Sequence, residues 1–279
     1  MREIAAQTIR DAVRDLCIEA CCTLPADVRH ALEDARATES WGPAQVVLDT
    51  ILENLGIAES GMVPICQDTG IACVFVDIGQ DVHVEGDLEA AINAGVAAGY
   101  TDGYLRKSMV RDPLRRVNTK TNEPALITYR IVAGDDLRIV VAPKGAGSEN
   151  MSSLVMLTPA DGREGVIREV VEAVRNAGPN PCPPIVVGVG IGGNSDHAMD
   201  LAKRALQRRF GERNPDPFYA ELEEELIERI AELGIGPMGY GGDTTALAVH
   251  VEALPTHIAC LPLGIAINCH AARHAEVVL

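Results

Sequence analysis

Apolar positions recur at helical spacing through the first part of the chain. Ile4, Ile9, Val13, Leu16 and Cys17 mark one helix, residues Val28 to Ala37 a second, and Ala44 to Leu55 a third that Gly56 is expected to end. The period then changes. Ile71 to Asp77 is a short unbroken apolar run of the kind a buried strand carries, Val82-His83-Val84 reads as a short strand, and Asp87 is placed to cap a helix through Ala98 that Gly103 closes. Leu126 to Val132 and Leu137 to Val141 alternate on either side of Gly134-Asp135-Asp136, the pattern of a β-hairpin. A helix from about Gly165 to Asn176 precedes the strand Ile185 to Val187, which runs into the glycines of Gly188 to Gly193, read as a turn. Helices over Asp196 to Arg209 and Tyr219 to Leu233, a glycine-rich loop at Gly236, Gly239, Gly241 and Gly242, and apolar runs at Ala246 to Val251 and Ile258 to Ile267 complete the chain. The fold class expected is mixed α/β, with a helical N-terminal part over about residues 1–60 followed by mixed sheets flanked by helices. No repeat or long linker divides residues 1–279, so a single domain, or two closely fused halves, is expected.

Composition narrows the function classes. Forty acidic against 24 basic residues give a net charge of −16, which opposes binding to nucleic acid or to an anionic membrane surface. One Trp, five Tyr and three Phe leave little to stack on bases. No apolar run is long enough to span a bilayer, and the N-terminus lacks the basic-then-apolar order of a secretory signal, so a cytoplasmic location is expected. Eight cysteines at 17, 21, 22, 66, 73, 182, 260 and 269 form no CxxC pair and no compact disulfide framework. The one dense basic stretch, Arg106-Lys107 with Arg111, Arg115, Arg116 and Lys120, reads either as a solvated loop or as a receiver of a small anion.

Candidate chemistry centres on Cys66-Gln67-Asp68-Thr69-Gly70, which sets a thiol, an amide, a carboxylate, a hydroxyl and a turn-former in a tight connection before a buried strand. The structural alternative makes Cys66 a small core residue and Asp68 a turn cap. Lys144-Gly145-Ala146-Gly147-Ser148 reads as an anion-binding nest or as an ordinary turn. Gly188-Val189-Gly190-Ile191-Gly192-Gly193 meets the letter of a dinucleotide fingerprint, yet no second strand ending in an acidic residue follows at the required distance, so close backbone packing is the better reading. Cys66, Cys182 and Cys269 each stand in or beside a connection, and three thiolates from distant loops suit an iron–sulfur cluster with one iron left open.

The chain resembles the class I fumarase and tartrate dehydratase group of iron–sulfur hydro-lyases, specifically the α subunit of the two-subunit form. The likeness rests on Cys66-Gln-Asp-Thr-Gly, on Val117-Asn-Thr with Asn122-Glu-Pro-Ala, and on Lys144-Gly-Ala-Gly-Ser-Glu-Asn-Met. It extends to Cys182-Pro-Pro before the Gly188 motif, Gly241-Gly-Asp-Thr-Thr-Ala-Leu-Ala-Val and Cys269-His-Ala-Ala-Arg-His-Ala-Glu. The resemblance implies that Cys66, Cys182 and Cys269 ligate a [4Fe-4S] cluster. It also implies that Gln67, Asp68, Arg106 and the backbone at Gly147 contact a small dicarboxylate, and that His257 pairs with Asp68 to handle the proton of the departing hydroxyl. The reaction implied is reversible hydration of fumarate to malate, with dehydration of L(+)-tartrate as the alternative. No residue in these motifs is suited to take a carbon-bound proton, so a β subunit supplying that base, in an α2β2 assembly, is expected. The remote alternative is a NAD-dependent oxidoreductase built on the Gly188 motif.

Overall fold

The computed structural model describes residues 2–279. In chain order its elements are β1 (Arg2–Ala5), α1 (Ala6–Cys22), α2 (Ala26–Thr38), α3 (Gly42–Gly61), β2 (Ile71–Gly79), β3 (Val82–Glu85), α4 (Leu88–Asp102), β4 (Leu126–Val132) and β5 (Leu137–Lys144). There follow α5 (Ala146–Glu149), β6 (Ser153–Leu157), α6 (Gly162–Ala177), β7 (Ile185–Gly193), α7 (Ser195–Ala205), α8 (Pro217–Ala231), β8 (Ala246–Thr256), β9 (Leu261–Asn268) and β10 (Ala275–Val278). The mixed α/β class expected from the sequence is the class found. Contacts gather into two compact units: one of Met1–Pro25, Asn54–Ala146 and Arg273–Leu279, the other of Ala26–Glu53 and Gly147–Ala272.

The first unit is built on the sheet β10-β5-β2-β4, in which β2 pairs parallel with β4 and antiparallel with β5. The expected hairpin between β4 and β5 is therefore not formed: β2 lies between them, and its end takes up the connecting loop through Gly79 N–H to the Asp136 carbonyl (2.8 Å) and Asp81 N–H to the Gly134 carbonyl (3.0 Å). Burial decides this. Val74 and Val76 are fully buried in β2, and two flanking strands satisfy its whole backbone, whereas a local hairpin would have left one edge open. Helix α1 packs on α4 and on β5, and Gly99 lets the helices approach, since a Cβ there would stand 2.7 Å from the Arg14 carbonyl oxygen. Asp87 caps α4 as expected, accepting from the Ala90 N–H at 2.9 Å. Two expectations at the N-terminus change: residues 2–5 form a strand parallel to β3, and α3 runs through Gly56 to Gly61.

The second unit holds the sheet β6-β9-β7-β8, with β7 antiparallel to β9 and parallel to β8. Ile185, Val187, Val189 and Ile191 of β7 pack into the core shared with Val166, Val170 and Val174 of α6 and Leu222, Leu226 and Ile230 of α8. The alternate positions, Gly188 and Gly190, meet α7. A Cβ on Gly190 would collide with the Ala198 carbonyl oxygen, and one on Gly188 with that of Ala202. The glycine motif is thus a strand with period two rather than a turn: one face is branched for the core, and the other is bare so that a helix can lie against the backbone.

Candidate functional site

In the first unit, the Cys66–Gly70 connection is fixed from several sides. Tyr100, fully buried on α4, donates its hydroxyl to the Thr69 carbonyl at 2.7 Å; burial, with Cys21 nearby, pushes this phenol well above its ordinary pKa, so it stays a neutral donor. The Arg273 guanidinium donates to the Asp68 carbonyl and, at 3.3 Å, to the Pro143 carbonyl. Asn122, with no exposed surface and a left-handed φ of 67° that asparagine tolerates, donates to the Gly70 carbonyl at 3.1 Å and accepts from Ser108 N–H at 2.6 Å and Met109 N–H at 3.1 Å. The Thr69 hydroxyl donates to the Arg106 carbonyl at 3.0 Å. Asn122 and Thr69 therefore tie the backbone that carries Arg106 to the backbone that carries Asp68, while the side chains of Gln67 and Arg106 remain exposed.

The Asp68 carboxylate accepts from Gly70 N–H at 3.0 Å and from Ala146 N–H at 2.8 Å. The Lys144–Ser148 segment closes on the chain itself: the Ala146 N–H that opens α5 donates to Asp68. Gly70 has φ of 76° and lies so close to Lys144 that a Cβ would stand 2.6 Å from its carbonyl oxygen, so this turn demands glycine.

In the second unit, Cys182 precedes β7 and Cys269 follows β9. Because Val186 pairs with Asn268, both thiols stand at the same end of the sheet. His270 reinforces the meeting: its N–H donates to the Cys182 carbonyl at 3.3 Å and its Nδ1 lies 3.1 Å from the same oxygen. Cys182 is exposed and adopts φ of 53°, a left-handed conformation that costs a non-glycine residue about 1 kcal/mol or more. Gly147 is exposed, and a Cβ there would lie 3.2 Å from the Asn180 carbonyl oxygen. His257, exposed in the turn after β8, accepts from Ala259 N–H at 3.2 Å. It stands beyond Thr256, which pairs with Gly193 at the opposite end of β7 from the two thiols.

The second glycine-rich loop also closes on a carboxylate of the chain itself. Glu39, only 2% exposed, accepts from the backbone N–H groups of Trp41, Asp243 and Thr244 at 2.9–3.0 Å. Ser40 donates through its hydroxyl and its N–H to Asp243, holding that carboxyl below the usual range. Glu39 and Tyr100 are supports that sequence reasoning passed over, and Arg273, though it stands in the Cys269 motif, was given no role there. Glu39 follows α2 and Tyr100 lies within α4, where the local pattern carries no chemical signal, and for all three only the contact made in the fold reveals the role.

The cysteines divide by environment. Cys17, Cys21, Cys22 and Cys73 are buried, and burial pushes the first well above its ordinary pKa, the second up to about 12 and the third upward. The thiols of Cys17, Cys21 and Cys22 stay protonated and serve packing. Cys66, Cys182, Cys260 and Cys269 keep exposed surface. No disulfide joins any of the eight, and among the described residues no group of three or more His, Cys, Asp or Glu is gathered about one point in a way that would hold a metal ion. Two thiols with accessible surface, Cys182 and Cys269, stand at one sheet end in the second unit, and Cys66 lies in a tethered loop of the first. No helix among the described residues is long and apolar enough to cross a membrane.

Comparison with known proteins places the chain in a family. The profile of the family described as Fumarate hydratase (Fumerase) matches residues 10–278. A protein of Methanocaldococcus jannaschii provisionally named L(+)-tartrate dehydratase subunit alpha is 47% identical over 274 residues, covering 96% of each chain. The L(+)-tartrate dehydratase subunit alpha of Escherichia coli strain UTI89 is 32% identical over 258 residues, covering 91% of this chain and 85% of its own. That of strain K12 is 31% identical over 260 residues. The chain therefore belongs to the fumarate hydratase (fumerase) family and is a hydro-lyase.

Proposed function

We propose that this chain is the cluster-bearing α subunit of a two-subunit hydro-lyase for four-carbon dicarboxylic acids, with Cys66, Cys182 and Cys269 as ligands of a [4Fe-4S] cluster. The observation that carries the reading is the convergence of Cys182 and Cys269 at one end of a sheet, held by His270, in a chain whose family profile spans nearly its whole length. When bound, such a cluster supplies Lewis acidity toward the substrate's hydroxyl and carboxylate oxygens. Arg106 offers a planar fork to a substrate carboxylate, in a protein whose net charge of −16 would otherwise repel a dianion. Gln67 and the Gly147 N–H orient the remaining oxygens. Asp68, held by two backbone N–H groups, and the His257 imidazole carry the proton of the departing hydroxyl.

Fumarate hydration follows from the family, and the names of the relatives favour L(+)-tartrate as the alternative substrate. These relatives are named as alpha subunits, which supports a β chain as partner; we assign to it the base for the carbon-bound proton and place two copies of each chain in an α2β2 assembly in the cytoplasm. The NAD reading loses its basis, because the glycines it needs are packed against α7 within a strand. The test is anaerobic reconstitution with iron and sulfide, followed by assays of fumarate hydration and tartrate dehydration with and without the β chain. Activity that appears only with the β chain and a loaded cluster supports the proposal. Turnover of neither acid by the complete, loaded assembly would sink it.

A further inference from the structure

Residues 106–120 of the first unit carry six of the 24 basic residues and one of the 40 acidic ones, a net of +5 against −21 for the rest of the chain. With carboxylates in such excess, cations elsewhere find partners: at least thirteen of the other 18 stand within 4.0 Å of a carboxylate oxygen. Arg106, Lys107, Arg111, Arg115, Arg116 and Lys120 have no ion pair among the described residues.

The one carboxylate at hand is committed to the backbone. Asp112 accepts through Oδ1 from Leu114 N–H at 3.0 Å and Arg115 N–H at 2.6 Å, and its carbonyl accepts from Arg116 N–H at 2.9 Å. The segment is a finger whose two arms are joined by Arg111 N–H to the Val117 carbonyl (2.8 Å) and Thr119 N–H to the Met109 carbonyl (2.9 Å). The Asn118 amide donates to the Lys107 carbonyl at 2.8 Å. Arg116 and Lys120 hold left-handed backbone, with φ of 61° and 68°, where glycine or asparagine would sit with less strain; cations occupy both positions all the same. The charges are thus displayed on a fixed frame that does not neutralise them.

The base of the finger is tied to the Asp68 loop. Asn122 accepts from Ser108 N–H and Met109 N–H while donating to the Gly70 carbonyl, and the Thr69 hydroxyl holds the Arg106 carbonyl. From Met109 to Asp112 at the tip is about 10 Å of extended chain. That is about one screening length at 0.1 M salt and well inside the roughly 30 Å of 0.01 M salt. The charges of the finger therefore act on an anion approaching Arg106, in a chain whose other residues repel it.

We propose that the finger is an electrostatic guide for the substrate: Lys107, Arg111, Arg115, Arg116 and Lys120 gather the dicarboxylate dianion toward Arg106 and act on it at a distance. This rests on the functional reading above, which gives the substrate its two negative charges. A field of this kind lowers KM and leaves kcat alone, because it attracts the ground-state and transition-state forms of the dianion alike.

The experiment uses the cluster-loaded assembly with the β chain. Wild type is compared with the triple variant Arg111→Gln, Arg115→Gln, Arg116→Gln and with the triple Lys variant at the same positions, at about 0.01 M and about 0.3 M salt. Neutralisation is expected to raise KM for the preferred diacid by about 5–10-fold at the lower salt, by less than about 2-fold at the higher, and to leave kcat unchanged. The Lys variant is expected to keep the wild-type KM. Retention of succinate, an unreactive dianion, measured by equilibrium dialysis on the same assemblies, repeats the comparison without turnover.

A Gln variant with wild-type KM and salt response overturns the inference. A Lys variant as impaired as the Gln variant overturns it too, since shape rather than charge would then matter, and so does a fall in kcat at both salt concentrations, which would signal contact with the reacting substrate. Leu114 at the tip is 90% exposed, so capture of the β chain is measured as well. Loss of that capture in the Gln variant assigns the finger to the subunit interface and overturns the guide. A wild-type assembly that turns over neither acid sinks the hydro-lyase reading, and the dialysis then decides the guide separately.

Discussion

The carboxylate of Asp68 lies 2.8 Å from the backbone nitrogen of Ala146, accepting its hydrogen bond across 78 residues of sequence. With the Gly70 N–H on its other oxygen, this carboxylate is oriented by two donors, one in the turn at Gly70 and one at the start of α5. For the proton role proposed for Asp68, such fixing keeps the free oxygen lone pairs in one direction. Asp68→Asn turns an N–H toward one of these donors. It is expected to cost about 1–3 kcal/mol of stability as well as most of the turnover, and chemical denaturation beside steady-state kinetics reads both. Unaltered stability would mean that the loop donors are satisfied elsewhere.

The cysteines give the second prediction. Ser in place of Cys66, Cys182 or Cys269 is expected to abolish iron loading, measured as iron and acid-labile sulfide per chain after anaerobic reconstitution. Cys17→Ala or Cys21→Ala should load normally and lose only packing, about 1–2 kcal/mol by the volume removed. Loss of iron in the buried pair together with retention in Cys182→Ser would reassign the ligands.

Arg106 is tethered to Asp68 through Thr69, and its guanidinium is exposed. Arg106→Lys keeps the charge and loses the fork, so kcat/KM is expected to fall by about 2–4 kcal/mol in transition-state terms with little change in stability. An unchanged kcat/KM for the preferred diacid removes Arg106 from the substrate site.

Gly190→Ala tests the reading of the glycine motif as packing. The added methyl meets the Ala198 carbonyl with no flexible neighbour to yield, and a stability loss of about 2–3 kcal/mol or more is expected. Thermal unfolding measures it. A neutral Gly190→Ala would show that α7 gives way.

His250 supplies a pH dependence. Burial, with the Arg208 charge adding to it, lowers its pKa from 6.5 to about 4, while Glu223, Asp27 and the Ala205 carbonyl act in the opposite sense. Between these values the unfolded chain binds a proton that the folded chain refuses. Stability is therefore at its full value above pH 6.5 and falls as the pH drops toward 4, by about 3 kcal/mol from this residue. His250→Gln should flatten the decline in melting temperature over that window; an unchanged slope would place the acid sensitivity in other groups.

Period and punctuation were enough to locate most of the elements. The start of β2, the cap at Asp87, the helix ending near Gly103 and the apolar runs that became most of β8 and β9 all follow from local rules that act within a few residues. That Cys66, Cys182 and Cys269 lie in connections was legible for a related reason: glycine and proline beside them break the period of the neighbouring elements. Strand partners were not legible. Leu126–Val132 and Leu137–Lys144 have the pattern of a hairpin, and only the competition of β2 for both edges, a matter of buried backbone hydrogen bonds summed over a whole sheet, separates them. In the same way, the letters Gly188 to Gly193 fit a turn or a strand equally well until α7 arrives to fill the bare face. Which residues of one chain can meet was beyond the sequence as well. His257 and Cys269 are twelve positions apart in the chain, yet the extended backbone of β9 lies between them and holds them at opposite ends of a sheet, because a paired strand cannot shorten without giving up its hydrogen bonds.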